Sequence, residues 1–137
     1  MIILDTNVIS EMMKSEPSIK VLDWLDRQEI TQLFVTTITI AEISYGLDVL
    51  PKGKRKTALE VAFHTTLLEA FNYRILSFDE IAAHQYGKIM GQRKKTGHPL
   101  SILDGQICAI ASAHDAAIAT RNIRDFVDCD VELINPF

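Results

Sequence analysis

Three carboxylates and one amide fall where apolar segments end or helices begin: Asp5, Glu42, Asp104 and Asn122. Asp5 closes the apolar run Met1-Ile2-Ile3-Leu4. Glu42 lies in the first turn of a helix expected to start at Thr39, and Asp104 in the first turn of another starting at Ser101. Asn122 follows the apolar segment Ala117-Ile118-Ala119-Thr120. Oxygen donors scattered in sequence but grouped at element ends are how a chain builds a site for Mg²⁺. Other chemistries lack their residues. There is no GxSxG elbow, no GxxxxGK[ST] phosphate loop and no GxGxxG turn. His64, His84, His98 and His114 show no HExxH spacing.

Each residue alone has a plainer explanation. Asp5 suits the N-cap of the following helix. Thr39-x-x-Glu42 and Ser101-x-x-Asp104 fit capping boxes, as does Ser77-x-x-Glu80, which carries no catalytic expectation. Together they weigh differently. The helix bearing Asp104 is otherwise mostly Leu, Ile, Cys and Ala, so it should be largely buried, and a carboxylate entering a buried region needs a partner or a cation. Gathered carboxylates also raise one another's pKa unless a metal is bound.

The elements that must position these groups alternate. Residues 1–4 read as a strand and 6–13 as a short helix. Pro17 suits the first position of a helix running to about Arg27, with Val21, Leu22 and Leu25 on one face. Leu33-Phe34-Val35 reads as a strand, followed by a helix carrying Ile40, Ile43, Leu47 and Leu50 that Pro51 and Gly53 end. A long helix is expected over 55–71, a strand over 73–76, helices over 79–95 and 101–115, and strands over 117–120 and 131–134. This alternation predicts an α/β three-layer sandwich, a central parallel sheet flanked by helices. In such sheets the site lies at the carboxyl ends of the strands.

The chain has 137 residues, which suits one domain over 1–137. A hydrophobic share of 47% excludes disorder, and the short interrupted apolar runs exclude a bilayer span. The start reads as a strand and not a signal peptide, so the expected compartment is the cytoplasm. Cys108 and Cys129 are expected to be reduced, partly buried thiols. A net charge of −4 argues against a surface that grips nucleic acid everywhere. It leaves room for local basic clusters at Lys52, Lys54, Arg55 and Lys56 and at Arg93, Lys94 and Lys95, though such runs are more often solvated loops or helix ends.

Four segments in order resemble the PIN-domain signature: Asp5-Thr6-Asn7-Val8-Ile9-Ser10, Glu42 within Thr39-Ile40-Ala41-Glu42-Ile43, Asp104, and Thr120-Arg121-Asn122-Ile123-Arg124-Asp125-Phe126. More closely, the chain resembles the VapC-type ribonuclease toxins of bacterial toxin–antitoxin modules, including plasmid-stability proteins, over its whole length. The resemblance implies a PIN-like three-layer sandwich and an endoribonuclease dependent on Mg²⁺ or Mn²⁺. It makes Asp5, Glu42 and Asp104 the acidic metal-binding core. The fourth position, often Asp in the family, is Asn122 here, which offers a carbonyl oxygen but no charge. Asp125, three residues on, either supplies charge through water or is a turn residue before Phe126. Thr6 and Thr120 are expected to support the site through their hydroxyls, and Asn7 to hold the turn after the first strand.

The implied chemistry is metal-assisted hydrolysis by water, leaving a 5′-phosphate and a 3′-hydroxyl. Arg121, Arg124 and the two basic clusters are candidates to hold the RNA backbone, tRNA among the substrates to test. The family also implies a cognate antitoxin, which would lay a segment in an apolar groove between the helices at 6–13 and 39–50, near Met12, Met13, Ile43 and Leu47, unless those residues are core. It implies a homodimer as well. Two other functions remain open. One is a catalytically weak PIN-fold module acting by RNA or protein binding, which Asn122 favours. The other is a phosphotransferase, opposed by Asp5-Thr6-Asn7, which lacks a second acid close behind the first.

Overall fold

A computed structural model describes residues 1–137. Its strands are β1 (Ile2–Leu4), β2 (Leu33–Thr36), β3 (Ile75–Leu76), β4 (Ala117–Ala119) and β5 (Leu133–Ile134). Its helices are α1 (Thr6–Met12), α2 (Ile19–Asp26), α3 (Thr37–Asp48), α4 (Lys54–Thr65), α5 (Glu80–Lys95), α6 (Ile102–Ala113) and α7 (Ile123–Phe126). All strands are parallel, in the order β3-β2-β1-β4-β5.

The strands are short and apolar because both sheet faces are covered. Successive residues of β1 serve opposite faces: Ile3 joins a core with Ile107, Ile110, Ile118 and Phe126, and Leu4 joins one with Val8, Ile9, Val35, Ile43 and Phe63. In β4, Ile118 and Ala119 divide the same way. Helices α5 and α6 therefore cover one face, and α1 to α4 the other. This is the expected three-layer α/β sandwich.

The chain builds outward from β1 through β2 to β3, then returns to the other side of β1 for β4 and β5. The direction of winding reverses between β1 and β4, which opens a crevice beyond their carboxyl ends. Asp5 and Thr120 are the residues that follow those two strands.

Several boundaries differ from the sequence expectations. Pro17 stands before the N-cap of α2, which is Ser18: its ψ of 123° is not helical, and its N–H donates to the Glu11 carboxylate at 2.8 Å. The helix expected over 55–71 stops being α-helical at Thr65; a π turn over Thr66–Ala70 follows. The Thr66 hydroxyl donates to the Ala62 carbonyl at 2.8 Å, and the wider turn delivers Phe71 to the core, where it is 1% exposed. Helix α5 is capped by Asp79, whose carboxylate accepts from the Ala82 N–H at 2.9 Å, and not by Ser77. Strands β3 and β5 are two residues each, and α7 had no expectation at all. Cys108 and Cys129 are buried and unpaired, and no helix is long and apolar enough to cross a membrane.

Candidate active site

Asp5 is fixed before any ligand arrives. It is the N-cap of α1, and its Oδ1 accepts from the Thr6 N–H at 2.8 Å. Its Oδ2 accepts from Asn7 Nδ2 at 2.9 Å and from the Thr120 hydroxyl at 2.7 Å. Only 4% of Asp5 is exposed. Burial pushes its pKa above the ordinary value; the Thr120 and Thr6 hydrogen bonds pull against this, and the Asp104 charge adds to it.

Glu42 lies on α3, which begins two residues earlier than expected. Thr36 is the N-cap, accepting from the Thr39 N–H at 3.1 Å, so Thr39-x-x-Glu42 is not a capping box and Glu42 sits in the second turn. Its Oε1 accepts from the Thr6 hydroxyl at 3.1 Å, which orients the carboxylate at the crevice. Burial raises its pKa, opposed by the Thr6 bond and reinforced by Asp5 and Asp104.

Asp104 occupies the first turn of α6, with Ser101 as the N-cap accepting from its N–H at 3.2 Å. Half-buried, its carboxyl is raised by desolvation and by Asp125, against the Ser101 bond. Asn122 precedes α7, and its N–H donates to the Thr120 hydroxyl at 3.0 Å, leaving its amide exposed.

The four residues meet in one cleft of about 390 Å³. It is lined by Asp5, Thr6, Asn7, Glu42, Asp104 and Asn122, together with Ser10, Glu11, Lys14 and Arg121, and no hydrophobic residue. Asp125 is not among them. It lines two neighbouring clefts, one with Arg93, His98, Arg124 and Asp104 and one with Arg121, Asn122 and Asn135, and its charge acts on Asp104. The expected hydroxyl support is present at Thr6 and Thr120. Asn7 does hold the turn: it binds Asp5 and, through Oδ1, the Arg121 N–H at 3.0 Å.

Glu11, Lys14 and Ser10 escaped the sequence reading. The signal was there in helical spacing, since Asn7, Ser10 and Glu11 share one face of α1 and Lys14, just past its end, continues the three- and four-residue steps. Glu11 differs from the other acids. Its carboxyl lies below the ordinary value because Lys14 and the Ser18 N–H bind it.

Asp5, Glu42 and Asp104 fit a hard cation by their chemistry. Each is a carboxylate partly removed from water, each is repelled by a neighbouring acid, and no cation within hydrogen-bonding range offsets them. As the side chains stand, no three His, Cys, Asp or Glu groups form a closed cage, so an ion would draw on the cleft's amide and on water as well.

The profile of the family described as PIN domain matches residues 2–131. The chain belongs to the PIN-domain family. It is of the VapC type. It is similar to the VapC ribonuclease Y4jK of Sinorhizobium fredii, at 42% identity over 100% of this chain and 98% of that one. It is also similar to the toxin FitB of Neisseria gonorrhoeae, at 38% identity over 100% and 99%. The crystal structure of FitAcB from Neisseria gonorrhoeae overlays on this PIN domain with a TM-score of 0.91, at 38% identity over 99% of this chain and 98% of that one.

The structure narrows two surface expectations for the PIN domain. Arg93 does not belong to a basic RNA-facing cluster: it is 5% exposed and donates to the carbonyls of His98 and, at 3.2 Å, Asp125, tying the segment before α6 to α7. Between α1 and α3, Ile43 and Leu47 are core, the alternative the sequence left open for them. The apolar depression nearest to Met12 is lined instead by Leu22, Leu25, Ile30, Leu33 and Phe71.

Proposed function

We propose that this PIN domain is the toxin of a toxin–antitoxin pair and a metal-dependent endoribonuclease that hydrolyses RNA phosphodiester bonds. The observation that carries the reading is the convergence of Asp5, Glu42 and Asp104 on one cleft with no apolar wall. The relatives named VapC ribonuclease and toxin FitB support the substrate class and the biological role.

Asp5, Glu42 and Asp104 would hold Mg²⁺ or Mn²⁺, with the Asn122 amide oxygen as an additional donor. When bound, the ion supplies a water of lowered pKa and offsets charge on the phosphate. The chain supplies geometry. Asp5 has three donors holding it, so it has little freedom left to lose on binding. Thr6 orients Glu42, and the α6 cap sets Asp104. Neither His nor Cys lines the cleft to activate Ser10, and the Thr6 hydroxyl is committed to Glu42. The reading takes a water, and not a protein side chain or the ribose 2′-hydroxyl, as the nucleophile, so the products would carry a 5′-phosphate and a 3′-hydroxyl. A cognate antitoxin would find its apolar surface at the Leu22, Leu25 and Phe71 depression. The homodimer expected from the family belongs to the same reading.

One observation favours a second reading, a PIN-fold module that binds without cutting: Asn122 brings no charge to the fourth position. The test is cleavage of several RNA classes, including tRNA, by purified protein with Mg²⁺, with EDTA and with Asp5→Ala. Metal-dependent cleavage lost in Asp5→Ala supports the nuclease. Cleavage indifferent to both points to a contaminant, and binding with no cleavage in Mg²⁺ or Mn²⁺ favours the module.

A further inference from the structure

Four carboxylates line the cleft, and one of them serves a different purpose. Glu11 faces cations: its Oε2 lies 2.7 Å from Lys14 Nζ and 3.4 Å from an Arg121 guanidinium nitrogen. The guanidinium carbon of Arg121 lies 4.0 Å from the centroid of the Phe137 ring. Phe137 is itself anchored, donating its N–H to Asn135 Oδ1 at 3.0 Å and accepting at its carbonyl from Lys20 Nζ. The Arg121 main chain is fixed too, by the bond from its N–H to Asn7.

Arg121 is thus held at its main chain, at one edge and on one face, yet its side chain is 51% exposed. An exposed arginine gains little folding stability from such restraint. Restraint does matter for binding, where ordering a long flexible side chain otherwise costs affinity. Lys14 and Arg121 share the single carboxylate of Glu11, so this wall of the cleft keeps a net positive charge beside the acidic group. Arginine's planar fork suits a phosphate's oxygens.

We propose, resting on the ribonuclease reading above, that Glu11 and Phe137 are positioning residues that hold Arg121, with Lys14 beside it, to bind an RNA phosphate adjoining the scissile one. Glu11 is then no member of the metal group, although it lines the same cleft.

The test measures binding of fluorescein-labelled single-stranded RNA of mixed sequence by anisotropy in EDTA across a salt series, and kcat and KM with Mg²⁺. Arg121→Ala is expected to weaken binding and raise KM roughly tenfold, with kcat far less affected. It also flattens the salt slope by about 0.7, the value of one lost phosphate contact on a single strand. Glu11→Gln and Phe137→Leu each weaken binding roughly threefold to tenfold, whereas Phe137→Trp, which keeps an aromatic face, retains wild-type affinity. Glu11→Gln also keeps an oxygen for the Ser18 N–H, so the fold is spared.

The sign at Glu11 separates the two explanations. Removing a negative charge from a cleft that faces RNA strengthens binding by electrostatics alone; losing the position of Arg121 weakens it. In an Arg121→Ala background Glu11→Gln is expected to add no further loss. Glu11→Gln that binds as tightly as wild type or more so overturns the proposal, as does equal weakening in both backgrounds. Wild-type RNA binding or cleavage that Arg121→Ala leaves unchanged defeats this proposal alone. Wild-type protein that neither binds nor cleaves RNA defeats it together with the ribonuclease reading.

Discussion

The Thr120 hydroxyl donates a 2.7 Å hydrogen bond to Asp5 Oδ2, joining the ends of β4 and β1 across 115 positions of sequence. The same hydroxyl oxygen accepts from the Asn122 N–H at 3.0 Å and from Asn7 Nδ2 at 3.2 Å. One fully buried threonine thus sets the carboxylate and amide on either side of the winding reversal. Thr120→Val keeps the shape and removes the hydroxyl. It should cost about 1–3 kcal/mol of stability by urea unfolding, from the buried partners left unsatisfied. The Asp5 carboxyl should rise further, so the acid limb of the cleavage–pH profile moves to higher pH, with activity down roughly 10–100-fold.

Metal and protons should compete for the cleft. Asp5, Glu42 and Asp104 all have folded-state pKa values raised above the ordinary ones, so the folded protein binds protons more readily than the unfolded chain there. Their contribution favours folding at low pH and is lost as pH rises from about 4 through the raised values. Glu11 acts in the opposite sense: its contribution is present above the ordinary carboxylate pKa and is lost as pH falls through its lowered value. Melting in EDTA from about pH 4 to 8 should show a loss of stability in wild type that Glu42→Gln reduces. Saturating Mg²⁺ should restore more at neutral than at acid pH, about 2.7 kcal/mol at a hundred times its Kd. Equal Mg²⁺ shifts at both ends of the range would refute a carboxylate site.

Asn122 and Asp125 are assigned different places by the fold, and their exchange tests this. Asn122→Asp puts a fourth acid into the cleft and should tighten Mg²⁺ binding by up to about tenfold, seen in calorimetric titration. Asp125→Asn should leave Mg²⁺ affinity close to wild type, because that residue faces the neighbouring clefts. A large loss of affinity in Asp125→Asn would put it back among the ligands.

Arg93 and Lys95 stand two positions apart on α5 but should behave differently. Arg93→Met removes the donors that tie the segment before α6 to α7, loses two part-buried hydrogen bonds and should destabilise by about 1–3 kcal/mol. Lys95→Ala, on an exposed position, should stay within about 0.5 kcal/mol of wild type. Thermal and urea melts of the two variants give the comparison.

The sequence by itself determined what depends on local pattern. The alternation of short apolar runs with amphipathic segments gave a parallel three-layer sandwich. Oxygen-bearing residues at the ends of those runs and in the opening turns of helices pointed to Asp5, Glu42, Asp104 and Asn122 as neighbours; for Asp5 and Asn122 the reason is that parallel strands end at one edge. Local competition hid the boundaries. Thr36 and Thr39 are both good caps, as are Ser77 and Asp79, and which one serves depends on where the preceding strand stops. Only the tertiary structure decided the rest. The order β3-β2-β1-β4-β5 sets Arg121 beside Glu11, a pairing separated by 110 positions that no local pattern encodes. It also separated Asp125 from the cleft despite its three-residue distance from Asn122, and buried Arg93 within a run that reads as a basic surface. In each case the deciding quantity is which neighbours the packing leaves for a side chain, and packing between distant segments is fixed by the fold as a whole.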